Sequence, residues 1–330
     1  MNLFFLTGGL FLGHELGRNN LGNSFGMAIG TRMLPFVFSA VLAGLFVFLG
    51  AFFSGSGTTS EILAMAPDFT PMIAFTVCVS GALVLALLTK FGIPVSIAQS
   101  MIGALLGANL YFKIPIDIEQ LIKIASAWIY SPILSFSIAF CLFYIIRFFF
   151  KWYPIGILYR DIFTRLGLIC VGSFSAYCLG ANNVAVITGP YLATELFNET
   201  VLIILISLAV FFGFLRADRQ VIRTLSSGLF PLSPIESFVA VSGASLTLFV
   251  FSSTLLHEKL IFWGFPALPL IPISVTHALI GAIVGIALAK GRFGLKTSTL
   301  GRIFGAWIIV PIISGLISYG VLTIVGLYEA

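Results

Sequence analysis

The chain has 330 residues, of which 59% are hydrophobic and only 9% charged, with a net charge of +5. Its 33 glycines bring the apolar share to about 69%, against about 45–50% in soluble domains, where about 25% of residues are charged. Too few polar residues remain to cover a soluble globule, which excludes a soluble enzyme, a nucleic-acid-binding domain and a disordered chain.

A bilayer suits this composition. One spanning helix takes about 20 apolar residues, so the length allows about ten to twelve segments. Runs such as 42–53 and 201–215 are continuously apolar and lack the alternation of barrel strands. The expected fold class is therefore an all-α polytopic membrane protein. In chain order the apolar stretches cover 3–31, 34–53, 72–90, 93–112 and 122–147, then 162–194, 199–215, 235–256, 268–289 and 303–326. The first has no basic n-region or cleavage site and reads as a membrane segment, not a signal peptide. The first stretch of each set is long for one span and reads as a broken or hairpin helix. Cys78, Cys141, Cys170 and Cys178 lie in apolar stretches without a CxxC pair and read as buried small hydrophobes.

The two sets are repeats of each other. Gly17-Arg18-Asn19-Asn20 recurs as Gly180-Ala181-Asn182-Asn183, and Gly26 as Gly189. Ile93-Pro94-Val95-Ser96 recurs as Ile271-Pro272-Ile273-Ser274, and Ala127-Trp128 with Pro132 as Ala306-Trp307 with Pro311. Chance similarity between apolar segments explains shared Leu and Ile but not shared Asn-Asn, Ile-Pro-x-Ser and Trp-x-x-x-Pro. We divide the chain into a first repeat (1–150), a linker (151–165) and a second repeat (166–330). Five net crossings per repeat is an odd number, so the second repeat is expected upside down relative to the first.

Basic residues agree with that inversion. Arg147, Lys151, Arg160 and Arg165 fill the linker, Arg216, Arg219 and Arg223 follow one segment, and Lys290, Arg292, Lys296 and Arg302 follow another. The loops near 54–71 and 195–199 carry neither Lys nor Arg. The positive-inside rule places the linker in the cytoplasm and both termini outside. Lys113 and Lys123 fall on the outer side, both with acidic neighbours (Asp117, Glu119). Inverted repeats with helices interrupted at the midplane mark secondary transporters.

The two Asn-Asn blocks resemble the paired signature of the inorganic phosphate transporter (PiT) family, usually written GANDVANxxG. The blocks Pro94–Gln99 and Pro272–His277 resemble its PVSTTH element. The resemblance covers nearly the whole chain and implies a substrate site made by both repeats. It places Asn19, Asn20, Asn23, Asn182, Asn183, Ser96, Gln99, Ser274, Thr276 and His277 there; Arg18, which departs from the signature, stands within the first block beside them. Ser, Thr and Asn are neutral donors that suit an oxyanion, and helices starting after Pro94 and Pro272 would aim free N–H groups at it.

Two departures from the family pattern bear on the substrate. Asn20 and Asn183 stand where the signature has Asp, and Arg18 replaces a small residue. A carboxylate only accepts hydrogen bonds and suits a protonated anion or a sodium ion, whereas an amide can donate to a proton-free dianion. These changes favour a sulfate-like dianion within the phosphate/sulfate class, as in the family's sulfate-permease branch. His14, Glu15 and His277 are the ionisable coupling candidates, so proton coupling is expected, with sodium-coupled phosphate symport and a passive anion channel as alternatives. Structural readings stand beside these: Asn pairs can join helices, and Arg18 can pair with Glu15 one turn away. No metal site, organic cofactor, enzymatic activity or nucleic-acid partner is expected. The partners are the oxyanion and the lipid of a cell (inner or plasma) membrane; a homodimer is the assembly considered.

Overall fold

A computed structural model describes residues 2–66, 69–153, 156–266, 268–291 and 294–329. Arg292 lies outside the described residues. Helices make up all the regular structure among them. The first half contains α1 (Asn2–Ser24), α2 (Gly26–Gly30), α3 (Phe36–Ser54), α4 (Ser56–Met65), α5 (Pro71–Lys90), α6 (Ile97–Phe112) and α7 (Ile118–Trp152). The second contains α8 (Ile157–Leu179), a π turn (Gly180–Val184), α9 (Ala185–Leu192), α10 (Glu199–Leu215), α11 (Arg219–Arg223), a second π turn (Thr224–Gly228), α12 (Pro234–Ser252), α13 (Thr254–Phe262), α14 (Val275–Ala289) and α15 (Thr297–Glu329).

Among the described residues, six spans are long and apolar enough to cross a bilayer: α3, α5, α7, residues 157–192, α12 and α15 as far as Gly326. A seventh forms if α10 and the segment 219–228, bent by 72°, count as one; α6 and α14 are shorter apolar helices. Helix starts follow local chemistry. Thr70 and Ser233 cap α5 and α12 with proline at the first helical position, and Ser233 with Glu236 completes a capping box. Leu, Ile and Phe on the outer faces of α3, α7 and α15 stay exposed, as lipid-facing residues do. Cys78 and Cys178 are buried as expected, but Cys141 and Cys170 lie on outward faces of α7 and α8, where a bilayer accepts an apolar side chain without burial in protein.

The Asn-Asn blocks are not helix breaks. α1 runs unbroken through Asn19-Asn20 and is interrupted only at Phe25. The second block forms a π turn inside the continuous span 157–192. A π turn admits one extra residue without freeing the backbone from the helix. The true interruptions are the non-helical segments 93–96 and 271–274, which lead into α6 and α14.

Packing partners exchange between halves. α1 packs on α10 as α8 packs on α3, and α7 packs on α14 as α15 packs on α6. Glycine sets the closest of these crossings. A methyl group at Gly17 would overlap the Val210 carbonyl oxygen, and one at Gly213 the His14 carbonyl oxygen. The equivalent residues, 163 positions apart in sequence, repeat the arrangement: Gly180 against the Val47 carbonyl and Gly50 against the Tyr177 carbonyl. Gly103 likewise meets Pro311, and Gly281 meets Pro132. Small residues permit such backbone approach where lipid supplies no hydrophobic drive for helix association.

A side chain at Gly50 must push two backbones apart. Gly50→Val is expected to destabilise the fold by at least about 1–3 kcal/mol, the usual range for overpacking. Gly301→Val, with nothing within 4 Å of its Cβ position, is expected to be far milder. Thermal unfolding in detergent checks the pair; equal melting temperatures would contradict the packing argument.

Candidate functional site

The two non-helical lead-ins are gripped by the two signature asparagines. Asn19 Oδ1 accepts from the Val95 N–H (3.1 Å), and its Nδ2 donates to Thr89 Oγ1 (2.8 Å) and to the Ile93 carbonyl (3.3 Å). Asn182 does the same in the other half: Oδ1 accepts from the Ile273 N–H (3.1 Å) and Nδ2 donates to Ile273 O (2.7 Å). Both residues are wholly buried. An amide side chain offers a donor and an acceptor at once, as an extended peptide requires.

Each lead-in ends in a cap. Ser96 Oγ accepts from the Gln99 N–H at the start of α6, and Ser274 Oγ accepts from the His277 N–H at the start of α14. The two helix starts meet, because Thr276 Oγ1 donates to the Val95 carbonyl (3.1 Å). Asn23 of α1 joins them by donating to Thr276 Oγ1 (3.1 Å) and to Asn20 Oδ1. Asn23 Oδ1 is buried without a hydrogen-bond partner among the described residues. Asn20 Nδ2 bonds only its own helix, at the Leu16 carbonyl (3.2 Å). Asn183 accepts from Asn182 (2.9 Å). Thus Asn19, Asn20, Asn23, Ser96 and Thr276 form one buried polar cluster across the two halves, while Asn182, Asn183 and Ser274 build the corresponding lead-in to α14.

Gln99 and His277, equivalent by the repeat, face each other at 3.3 Å. His277 Nδ1 lies 3.0 Å from the Trp128 carbonyl, and its ring stacks on Trp307 at 3.5 Å. Both reach an apolar groove of about 790 Å³ bounded by α7, α14 and α15. His14, Glu15 and Arg18 form a separate charged cluster. Arg18 holds the buried Glu15 carboxylate at 2.9 and 3.1 Å, His14 Nδ1 lies 3.1 Å from it, and Asp218 is 4.0 Å from the guanidinium. A buried carboxylate is tolerable only when paired in this way. Sequence reading missed Thr89, although its equivalent Ser252 repeats its hydroxyl bond to the preceding turn, and Asp218, whose equivalent is Gly55. It noticed Trp128 and Trp307 only as repeat markers. No group of three or more His, Cys, Asp or Glu side chains that could hold a metal occurs among the described residues.

These residues belong to an all-helical, multi-pass membrane protein in which two capped helix starts meet at a buried polar cluster. The sequence model described as the phosphate transporter family (PHO4) matches residues 16–318, and the chain belongs to that family. It is 26% identical over 304 residues to a Methanocaldococcus jannaschii protein named as a putative phosphate permease, covering 92% of this chain and 91% of that one. It is 27% identical over 323 residues to a Rhizobium meliloti protein named as a probable low-affinity inorganic phosphate transporter, covering 94% and 92%. The solved structure entitled the sodium-dependent phosphate transporter shares the fold, with a TM-score of 0.78, 17% identity and 99% coverage of both chains.

The asparagine grip predicts a division of labour. Asn19→Ala and Asn182→Ala each strand a buried backbone N–H and are expected to cost about 1–3 kcal/mol of stability. Asn20→Ala breaks only an intrahelical bond and its contact with Asn23, so its stability loss is expected to be smaller. Melting temperatures of the three purified variants test this; an Asn20→Ala loss as large as the other two would overturn it.

Proposed function

We propose that the chain is a secondary active transporter of an inorganic oxyanion of the phosphate/sulfate class. The observation that carries this is the meeting of the α6 and α14 starts, where Thr276 bonds the Val95 carbonyl. Two helix N-termini aim partial positive charge at one place, and neutral amide and hydroxyl donors surround it. On this reading Asn20, Asn23, Asn183, Ser96, Ser274 and Thr276 contact the substrate, and Asn19 and Asn182 position the lead-ins. The two repeats lie inverted across the membrane, with both termini outside and the 151–165 linker in the cytoplasm. Under that topology an impermeant thiol reagent applied outside labels a cysteine placed at Ser56 and misses one placed at Ile157, two exposed positions. The opposite pattern would rule out the inversion.

The amides at 20 and 183 support preference for a proton-free dianion such as sulfate. Asp at either position keeps the acceptor that now serves Asn23 or Asn182 but loses the Asn20 donation to the Leu16 carbonyl. The melting temperature of the double variant Asn20→Asp/Asn183→Asp is therefore measured first, and uptake is read only in folded protein. The new carboxylates repel both anions, but only hydrogen phosphate can donate its own proton in return. An uncompensated contact costs about 1–3 kcal/mol, and about 1.4 kcal/mol is tenfold in affinity. Competition of labelled sulfate and phosphate uptake is therefore expected to shift toward phosphate by about tenfold or more. Unchanged selectivity in a well-folded double variant would remove these asparagines from the substrate's contacts.

For coupling, the Glu15–His14–Arg18 cluster supports proton symport: it holds the ionisable groups nearest the signature. A sodium-coupled phosphate symporter is the second reading, favoured by the buried, unpartnered Asn23 Oδ1, a neutral oxygen of the kind a hard cation accepts. Proteoliposomes with imposed gradients separate the two. Uptake driven by a pH gradient without sodium is the expected result; a strict sodium requirement would establish the second.

A further inference from the structure

A cleft of about 470 Å³ opens beside the Gly92–Ile93 turn. Arg223, Lys296 and Arg302 line it, together with the hydroxyls of Thr224, Ser298 and Thr299. No carboxylate is among its lining residues, and none pairs with these three cations among the described residues. The turn is built for close approach: Gly92 has φ +67°, and a Cβ there would lie 2.9 Å from Gln220. Thr224 Oγ1 ties the cleft wall to the floor by donating to the Gly92 carbonyl (2.8 Å). The next carbonyl, of Ile93, is the one held by Asn19. The floor of the cleft is thus the backbone segment whose next carbonyl Asn19 holds.

The repeat supplies an internal control. Segment 219–228 corresponds to α4 at 56–65, and the start of α15 corresponds to the start of α7. At the equivalent positions Arg223 is replaced by Ser60, Thr224 by Glu61, Lys296 by Asp117 and Ser298 by Glu119. Arg302 keeps a cation in Lys123, but that ammonium is paired with Glu119 at 2.8 Å. The equivalent stretches therefore carry cations beside the Gly92 turn and mostly acidic side chains in the first half.

We propose that the cationic cleft binds a phosphate-type oxyanion, as a station separate from the central cluster. Its place on a transport route rests on the oxyanion-carrier reading above; its binding chemistry does not. Two guanidinium groups and an ammonium with adjacent hydroxyls suit a tetrahedral dianion, free in solution or carried on a lipid headgroup. Exposed charges attract strongly at low ionic strength and are screened at high salt.

The test is equilibrium binding of radiolabelled inorganic phosphate to the full chain in phosphatidylcholine nanodiscs. Two classes of site are expected, one salt-sensitive. Arg223→Gln/Lys296→Gln/Arg302→Gln is expected to weaken the salt-sensitive class by at least about tenfold and leave the other. Thr276→Val is expected to do the reverse, so that failure of the central site and failure of the cleft are read separately. All three substituted cations are exposed; the single Lys296→Gln, with a partial loss expected, serves if the triple variant fails to fold. Nanodiscs containing phosphatidylglycerol distinguish the sources. Loss of cleft-bound phosphate there, in the wild type, identifies the headgroup as the competing occupant of the same site. Salt-independent phosphate binding that is unchanged in both the triple and the single variant would overturn the proposal.

Discussion

The structure depends on how it satisfies backbone that is not helical. In hydrocarbon an unpaired peptide group costs several kcal/mol, which is why spanning chains are helices or closed barrels. Here two segments, 93–96 and 271–274, leave the helix beside the polar centre. Asn19 and Asn182 close those open bonds from neighbouring helices, each with both faces of its amide. Remove the amides and the lead-ins lose the partners that hold α6 and α14 at their starting points. The serine caps and the Thr276 contact with Val95 then have no fixed frame.

The same economy governs the helix packing. The shortest crossings rest on glycine against carbonyl, at Gly17 with Gly213 and again at Gly50 with Gly180. Because partners exchange between halves, the repeats are interlocked, and neither buries its own surface alone: α7 packs on α14 and α15 on α6. A cluster made by both halves is a direct consequence.

The centre is polar but nearly neutral. Glu15, the deeply buried carboxylate, is held by Arg18 and faced by His14. The remaining buried polar groups around the helix starts are amides, hydroxyls and the His277 imidazole. On the proposed reading such a centre would attract an anion through oriented dipoles rather than a fixed countercharge; the chain's membership of a phosphate transporter family is in keeping with that. Positive charge unpaired among the described residues sits instead in the exposed cleft beside Gly92, on Arg223, Lys296 and Arg302.

The sequence by itself determined the class of solvent, the ten apolar stretches, the duplication and the identity of the polar residues in it. These are properties of composition and period: the runs became helix close to their expected positions, save the non-helical starts at 93–96 and 268–274. Among the described residues, however, six or seven helices, not ten to twelve, are long and apolar enough to span. The repeated Asn-Asn and Ile-Pro-x-Ser blocks were legible because chance does not duplicate rare polar residues in an apolar chain. Only the tertiary structure decided what those residues touch. Asn19 and Asn20 are adjacent in sequence, yet about 100° apart around a helix, so one grips Val95 while the other faces Asn23. Helix continuity through the first block and the π turn at the second were likewise invisible, because Gly and Asn weaken a helix locally while packing against α10 and α3 sustains it. Which charges meet across distant segments, as Arg18 meets Asp218 and Arg223 shares a cleft with Lys296, is set by how the helices fold back on one another. No spacing along the chain records it.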